Sequence, residues 1–331
     1  ARAAQFGVRA ETVDGLLAAD DIDIVVNLTI PAAHFEVSSR ILAAGKHVYS
    51  EKPFVLSLGE GAALRKAAEA RGLRVASAPD TFLGGAHQAA RAAIDSGLVG
   101  EITSGTAFVM SHGMEDWHPN PDFFFQPGAG PVLDVGPYYI TNLVQLIGPV
   151  RRVSAFTATP SKTRTIQSEP RKGEKIPVDT PTTLHAVLEF HNGAVISLCA
   201  SWDVWGHGHS PMELYGTEGS LFLPDPNFCK GGVVHSPARG EAAPLEAWDH
   251  PLGIINAGDR ANYRVSGLAD MVQAIAEGRP HRCSLEMSTH VVEVMTSIIT
   301  AGETGAVIEM QSTCDRPAPL GPDEARSLIA S

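Results

Sequence analysis

Lys52 is the side chain in this sequence best placed to act on a bound ligand. It lies in His47-Val48-Tyr49-Ser50-Glu51-Lys52-Pro53, where an alternating apolar run ends in a carboxylate, an ammonium and a proline. Val48 and Tyr49 suit a pleated strand and Pro53 cannot continue a ladder, so the backbone is expected to leave the sheet at Glu51 and Lys52. In an open parallel α/β sheet the carboxyl ends of the strands line the ligand crevice, which aims Lys52 into a cleft. The plain alternative is a solvated Glu-Lys pair in a surface loop.

Further polar residues have matching placement. Asp23 to Leu28 reads as a buried strand running into Thr29-Ile30-Pro31, with His34 opening the next helix. Asp134 and Tyr138 are four residues apart, one helical turn on one face, so both can point into one cleft. Pro137 either marks the true start of that helix or kinks it, because it supplies no N–H. The stretch Trp117-His118-Pro119-Asn120-Pro121-Asp122-Phe123-Phe124-Phe125 holds two prolines and must be a loop. Its aromatic faces suit the apolar side of a pyranose, with Trp117, His118 and Asn120 as substrate contacts, or else it is a hydrophobic plug. His207 and His209 follow two tryptophans; two histidines lack the further ligands a zinc site needs, so no metal is expected and His207 is read as a hydroxyl contact.

The elements that must hold these residues alternate up to about Pro79. Helices are expected over residues 12–19, 32–44 and 58–71, with strands over 22–28, 46–50 and 73–77, a pattern that implies a parallel doubly wound sheet. Asp80 and Thr81 read as the cap of a helix that begins by His87. After a strand over 102–109 and a helix over 131–147, strands dominate: 153–159, 182–190, 194–202, 212–216 and 220–223, joined by hairpin turns into a largely antiparallel sheet. Residues 229–256 look loop-like. Helices are expected over 261–277 and 285–303, with Met271, Met287, Met295 and His290 in the core or on the helix surface.

Together, Thr29-Ile30-Pro31-Ala32-Ala33-His34, Glu51-Lys52-Pro53 and Gly128 to Tyr138 resemble the glucose-fructose oxidoreductase and inositol dehydrogenase family, also called Gfo/Idh/MocA. The resemblance implies an α/β fold: a Rossmann doubly wound domain over residues 1–100, then an α+β domain over 101–331 with a large, mostly antiparallel open sheet. It implies NAD or NADP as cofactor, held by Thr29, Ile30, Pro31, His34, Glu51, Lys52 and Pro53. The common family form has Thr-Pro-Asn at residues 29–31, and most members have histidine where Tyr138 stands, with an aspartate at the position of Thr141. The tyrosine form resembles the glucose-fructose and dihydrodiol branches and disfavours a histidine base. Ala1 to Gly7 reads as the end of a helix closed by glycine, so the first βαβ unit of the family is expected to be missing. Gly-x-Gly-x-x-Gly occurs nowhere in the chain, and the choice between NAD and NADP therefore stays open. An export signal could lie in that missing part.

Composition narrows the function class. A chain of 331 residues, 44% hydrophobic and 19% charged, has room for two cores. A net charge of -12 with no basic cluster argues against nucleic acid. Four scattered cysteines without a Cys-x-x-Cys pair fit a reducing cytoplasm, and no apolar run reaches the ~18 residues of a membrane span. The expected activity is hydride transfer between a nicotinamide and a sugar or polyol hydroxyl. A free tyrosine, with a pKa near ~10, is a poor base, and a neighbouring ammonium favours its ionised form. Tyr138 is thus read as the acid-base and a substrate contact, Lys52 as electrostatic stabiliser beside the nicotinamide, and Asp134 as orienter of Lys52 or of a substrate hydroxyl; Lys52 as proton relay is the variant. Two other functions fit the residues: an NAD-retaining glycosidase of the family, and a sugar or cofactor sensor without turnover. Relatives associate through the outer face of the second sheet, which implies a homodimer or homotetramer.

Overall fold

Short β-branched runs bounded by glycine and proline set the first sheet. The computed structural model describes residues 2–246 and 248–330. In it β1 (Ile24–Asn27), β2 (His47–Ser50) and β3 (Val75–Ser77) pair in parallel in that order. Parallel neighbours need crossovers, supplied here by the helices His34–Ala43 and Leu58–Glu69. The register pairs Asn27 with Ser50 and Ser50 with Ser77, so all three strands end at one level, and Lys52 leaves from the middle one.

The second sheet collects β4 (Ile102–Met110), β5 (Val150–Ala158), β8 (Thr183–Phe190), β9 (Val195–Ser201), β10 (Met212–Gly216), β11 (Gly219–Leu223), β12 (Val234–Pro237), β13 (Ala243–Pro244) and β14 (Ile308–Glu309). A separate hairpin, β6 (Thr163–Thr165) with β7 (Lys175–Pro177), stands beside it. Strand order is β13-β12-β11-β10-β4-β9-β8-β5-β14, parallel between β4 and β9 and antiparallel elsewhere. Gly105 in β4 is obligatory: a Cβ there would stand 2.3 Å from the Glu213 carbonyl oxygen. One face buries Leu184, Ala186, Leu188 and Phe190 on the side of the helix Leu285–Thr304. The other carries the cross-strand row Phe156, His185, Cys199 and Phe108 and leaves Phe156 80% exposed.

Four expectations are corrected. The helix expected over residues 131–147 is two, Pro131–Asp134 and Gly136–Ile147, because Pro137 has no N–H for the Leu133 carbonyl; Pro137 lies in the first turn of the second piece. The helix expected from Ala261 starts at Ser266, since Val265 adopts a left-handed conformation at φ 76°. Residues 229–256 hold β12, β13 and a turn of 3-10 helix rather than loop alone. Asp80 does not cap its own segment: its carboxylate accepts from Tyr49 Oη at 3.1 Å and from Gly267 N at 3.0 Å, capping the distant helix Ser266–Glu277 instead. Burial raises the Asp80 carboxyl above its ordinary range, and burial followed by the Asp80 charge raises the Tyr49 phenol. Met271, Met287, Met295 and His290 all lie in the core.

Candidate active site

Lys52 and Asp134 meet because of the break at Val135. In an unbroken helix the Asp134 carbonyl would accept from Tyr138 N; here Tyr138 N turns to Val135 O, and the free Asp134 carbonyl accepts from Lys52 Nζ at 2.7 Å. The Asp134 carboxylate accepts from the same ammonium at 2.9 Å. Both side chains are largely shielded, a setting in which a charge-assisted hydrogen bond contributes roughly 1.5–3 kcal/mol. The ammonium stands 5.4 Å from the centre of the Tyr138 ring. Lys52 therefore shares one locus with Asp134, 82 residues further along the chain, and with Tyr138.

The loop after β1 adjoins them. Buried Asn27 shapes it: its amide donates to the His34 carbonyl and to Ser38 Oγ, and its Oδ1 accepts from Thr29 N and Oγ1. Thr29, Ile30 and Pro31 are exposed beside the Glu51-Lys52 turn, where Lys52 N donates to Glu51 Oε2. His34 and Pro53 have another place. Both are buried, with His34 Nδ1 2.7 Å from the Pro53 carbonyl oxygen and Nε2 2.9 Å from that of Thr29. His34 is a strut joining the two loops and has no free face for a ligand.

The aromatic loop divides. Phe125 is buried against Trp202, and Phe124 packs on Trp202 at 5.9 Å, so this end is a plug. Arg164, bound to Glu115 at 2.9 Å and to Asp203, fastens the loop below. Trp117 and Phe123 stay exposed and flank His118 edge-on, while Asn120 N donates to His118 Nδ1. His207 is exposed in the β9–β10 connection, near His209. Among the described residues, no contact joins Trp117, His118, Asn120 or His207 to Lys52, Asp134 or Tyr138, and no group of His, Cys, Asp and Glu is arranged to hold a metal.

One residue escaped the sequence reading. Arg264 Nη1 donates to Tyr138 Oη at 2.9 Å, its guanidinium lies 5.2 Å from the ring centre, and Nη2 donates to Asn227 Oδ1 at 2.8 Å. Tyr138 thus lies between two cations. A helix begun at Ala261 would put Arg264 in its first turn, where the dipole disfavours a cation, and that conflict was the available signal.

A model of the oxidoreductase family with an NAD-binding Rossmann fold matches residues 1–78, and one of the GFO/IDH/MocA C-terminal domain matches residues 87–222. The chain belongs to the GFO/IDH/MocA family. It is similar to an uncharacterized oxidoreductase of Schizosaccharomyces pombe, 33% identical over 47% of this chain and 42% of that one. It is also similar to the levoglucosan dehydrogenase of Pseudarthrobacter phenanthrenivorans, 29% identical over 66% of this chain and 60% of the relative. The chain thus spans about half the length of these relatives. A solved levoglucosan dehydrogenase in complex with NADH and levoglucosan superposes with a TM-score of 0.78 at 23% identity, covering 94% of this chain and 87% of that one, which shows the fold.

The residues present fit the nicotinamide end of such a family cofactor. Leu28 and Ile30, each 70% exposed, offer an apolar surface at the carboxyl end of β1, beside the Lys52 turn. The glycine-rich pyrophosphate cradle is not among the residues of this chain.

Proposed function

We propose that the protein is an NAD(P)-dependent oxidoreductase acting on a hydroxyl of a sugar or polyol. The observation that carries this is the Lys52 ammonium, pinned by Asp134, facing a tyrosine whose hydroxyl is held by Arg264. The bound nicotinamide supplies the hydride acceptor or donor. Tyr138 Oη exchanges the proton of the reacting hydroxyl, and Arg264 fixes that oxygen. Lys52 stabilises negative charge developing on the substrate oxygen, a type of interaction worth about 10²–10³ in rate. Asp134 holds the ammonium in place, and Leu28, Thr29 and Ile30 contact the cofactor from the β1 side.

Residues 1–100 form the cofactor side and 101–331 the substrate side in this reading. Exposed Phe156, Val187 and Val195 on the second sheet support association of copies through that face. Four buried free thiols support a cytoplasmic site of action; among the described residues no helix is long and apolar enough to cross a membrane.

The test is reduction of NAD or NADP by a panel of aldoses and polyols, with Lys52→Met and Tyr138→Phe alongside. Turnover should fall about 10²-fold or more in each variant. Undiminished turnover in Lys52→Met would remove the assignment, and sugar binding without cofactor reduction would favour a sensor.

A further inference from the structure

Arg264 faces outward as well as toward Tyr138. With Arg260, Thr81, Asn227, Phe228 and Asn262 it lines a hollow of about 100 Å³, and no carboxylate of the described residues is among its walls. We infer that this hollow receives an oxyanion borne by the substrate, so that the molecule oxidised is an acidic sugar, carrying a carboxylate or a phosphate; the inference rests on the activity proposed above. The guanidinium of Arg264 has five N–H groups, of which one goes to Tyr138 and the Nη2 pair to Asn227. Its Nε–H and one Nη1–H have no partner among the described residues, and it forms no ion pair. Among the described residues, the Arg260 side chain is held only by stacking, 5.0 Å from the Phe228 ring centre, and by a 3.8 Å approach to Asp259, which is 96% exposed. Stacking on the ring face leaves the edge of that guanidinium free to donate.

The charge at this spot runs against the rest of the chain, which is net -12. The contrast with a larger hollow of about 630 Å³ between residues 279–286 and 315–324 is direct. There Arg279, Arg282 and Arg316 are each neutralised, by Asp270 and Glu277, by Asp270 and Glu324, and by Asp95. Buried Asp80 feels the Arg264 charge, but its carboxylate bonds Tyr49 and Gly267 and makes no direct bond to Arg264. A planar fork with free N–H groups matches carboxylate and phosphate oxygens, and a hollow of this size admits such a group but not a sugar ring. The ring would then lie against Tyr138, with its anionic substituent toward Arg260.

Calorimetric titration of the purified protein with glucose, glucuronate and glucose 6-phosphate at one ionic strength tests this. One or both anionic sugars should bind at least about tenfold more tightly than glucose, the scale of one charge-assisted contact. Preference for glucuronate names a carboxylate, and preference for glucose 6-phosphate a phosphate. Arg260→Ala should remove most of that preference while leaving glucose binding unchanged; Arg260→Gln serves if the alanine variant does not fold. Equal binding of all three, binding of none, or a preference that survives in a folded Arg260 variant would overturn the inference. Anion-selective binding with no cofactor reduction would sink the proposed activity alone, and turnover of neutral sugars without anion preference would sink only the acidic substrate.

Discussion

Val265→Asn is expected to make the protein more stable and less active. Val265 occupies φ 76° and ψ 7°, the one non-glycine residue at positive φ among those described. An L-residue in that region costs roughly 1–2 kcal/mol, and a β-branched one is a true outlier. Asparagine tolerates the conformation, because its short polar side chain bonds locally. Val265 is 56% exposed, so losing its methyl groups forfeits less than about 1 kcal/mol of burial. The net gain is about 0.5–1 kcal/mol, or some 1–4 °C in a chain of this size. Asp80, which bonds Gly267 N two residues on, offsets part of the strain in the wild type. Arg264 precedes Val265 directly, and a relaxed backbone loosens its bond to Tyr138. A charged hydrogen bond is worth roughly 1.5–3 kcal/mol, so partial loss lowers turnover by about tenfold. Urea midpoints and steady-state sugar oxidation measure the two effects. A variant destabilised by more than about 1 kcal/mol would refute the strain, and one that is stabilised yet fully active would show that the strain does not serve Arg264.

Acidification provides an independent check. Burial pushes His87 and His290 from 6.5 down to about 4, so between those values the unfolded chain takes up protons that the folded one refuses, and stability falls with pH by about 1.4 kcal/mol per unit for each. Asp80 and Asp225, raised by burial, act in the opposite sense, so the informative quantity is the shallower slope of His87→Gln against wild type, measured by urea unfolding at pH 7 and pH 5; parallel slopes would remove His87 from the effect. If copies associate through the open sheet face as proposed, Phe156→Asp should leave the fold intact, because the ring is 80% exposed, while lowering the sedimentation coefficient toward that of a monomer. An unchanged coefficient would remove association through this face from the proposal.

How much of this was legible depended on whether the cause was local. Lys52 at a strand end, with a proline stopping the ladder, follows from neighbouring residue types, and so do the crossover helices, the glycine turns and the inner face of the second sheet. β12 and β13 are short and lack alternation: residues 234–237 are all half-buried and residues 243–244 exposed, so only pairing, of β12 with β11 and of β13 with β12, defines them. His34 shows another limit. A histidine at a helix start after a strand reads as a ligand contact, but the two carbonyls that enclose it come from residues 29 and 53, and only the folded chain brings them together. The cap of Ser266–Glu277 is likewise supplied from residue 80, beyond any sequence window.

The two sides of Tyr138 differ in just this way, and both depend on a helix that fails to propagate. On one side Pro137 interrupts hydrogen bonding by its covalent structure, so the Asp134 carbonyl is available to Lys52 whatever else the fold does. On the other, nothing in residues 261–265 forbids a helix; Val265 is held left-handed by tertiary contacts, among them Asp80 to Gly267, against its own preference. The availability of the Asp134 carbonyl is therefore set by covalent structure at Pro137, whereas the placement of Arg264 persists only while the surrounding packing over-determines Val265. Mild urea should then abolish the effect of Arg264 on Tyr138 before global unfolding, seen as local hydrogen exchange at residues 254–265 preceding that at residues 131–147. Simultaneous exchange of both segments would show that the two contacts belong to one cooperative unit.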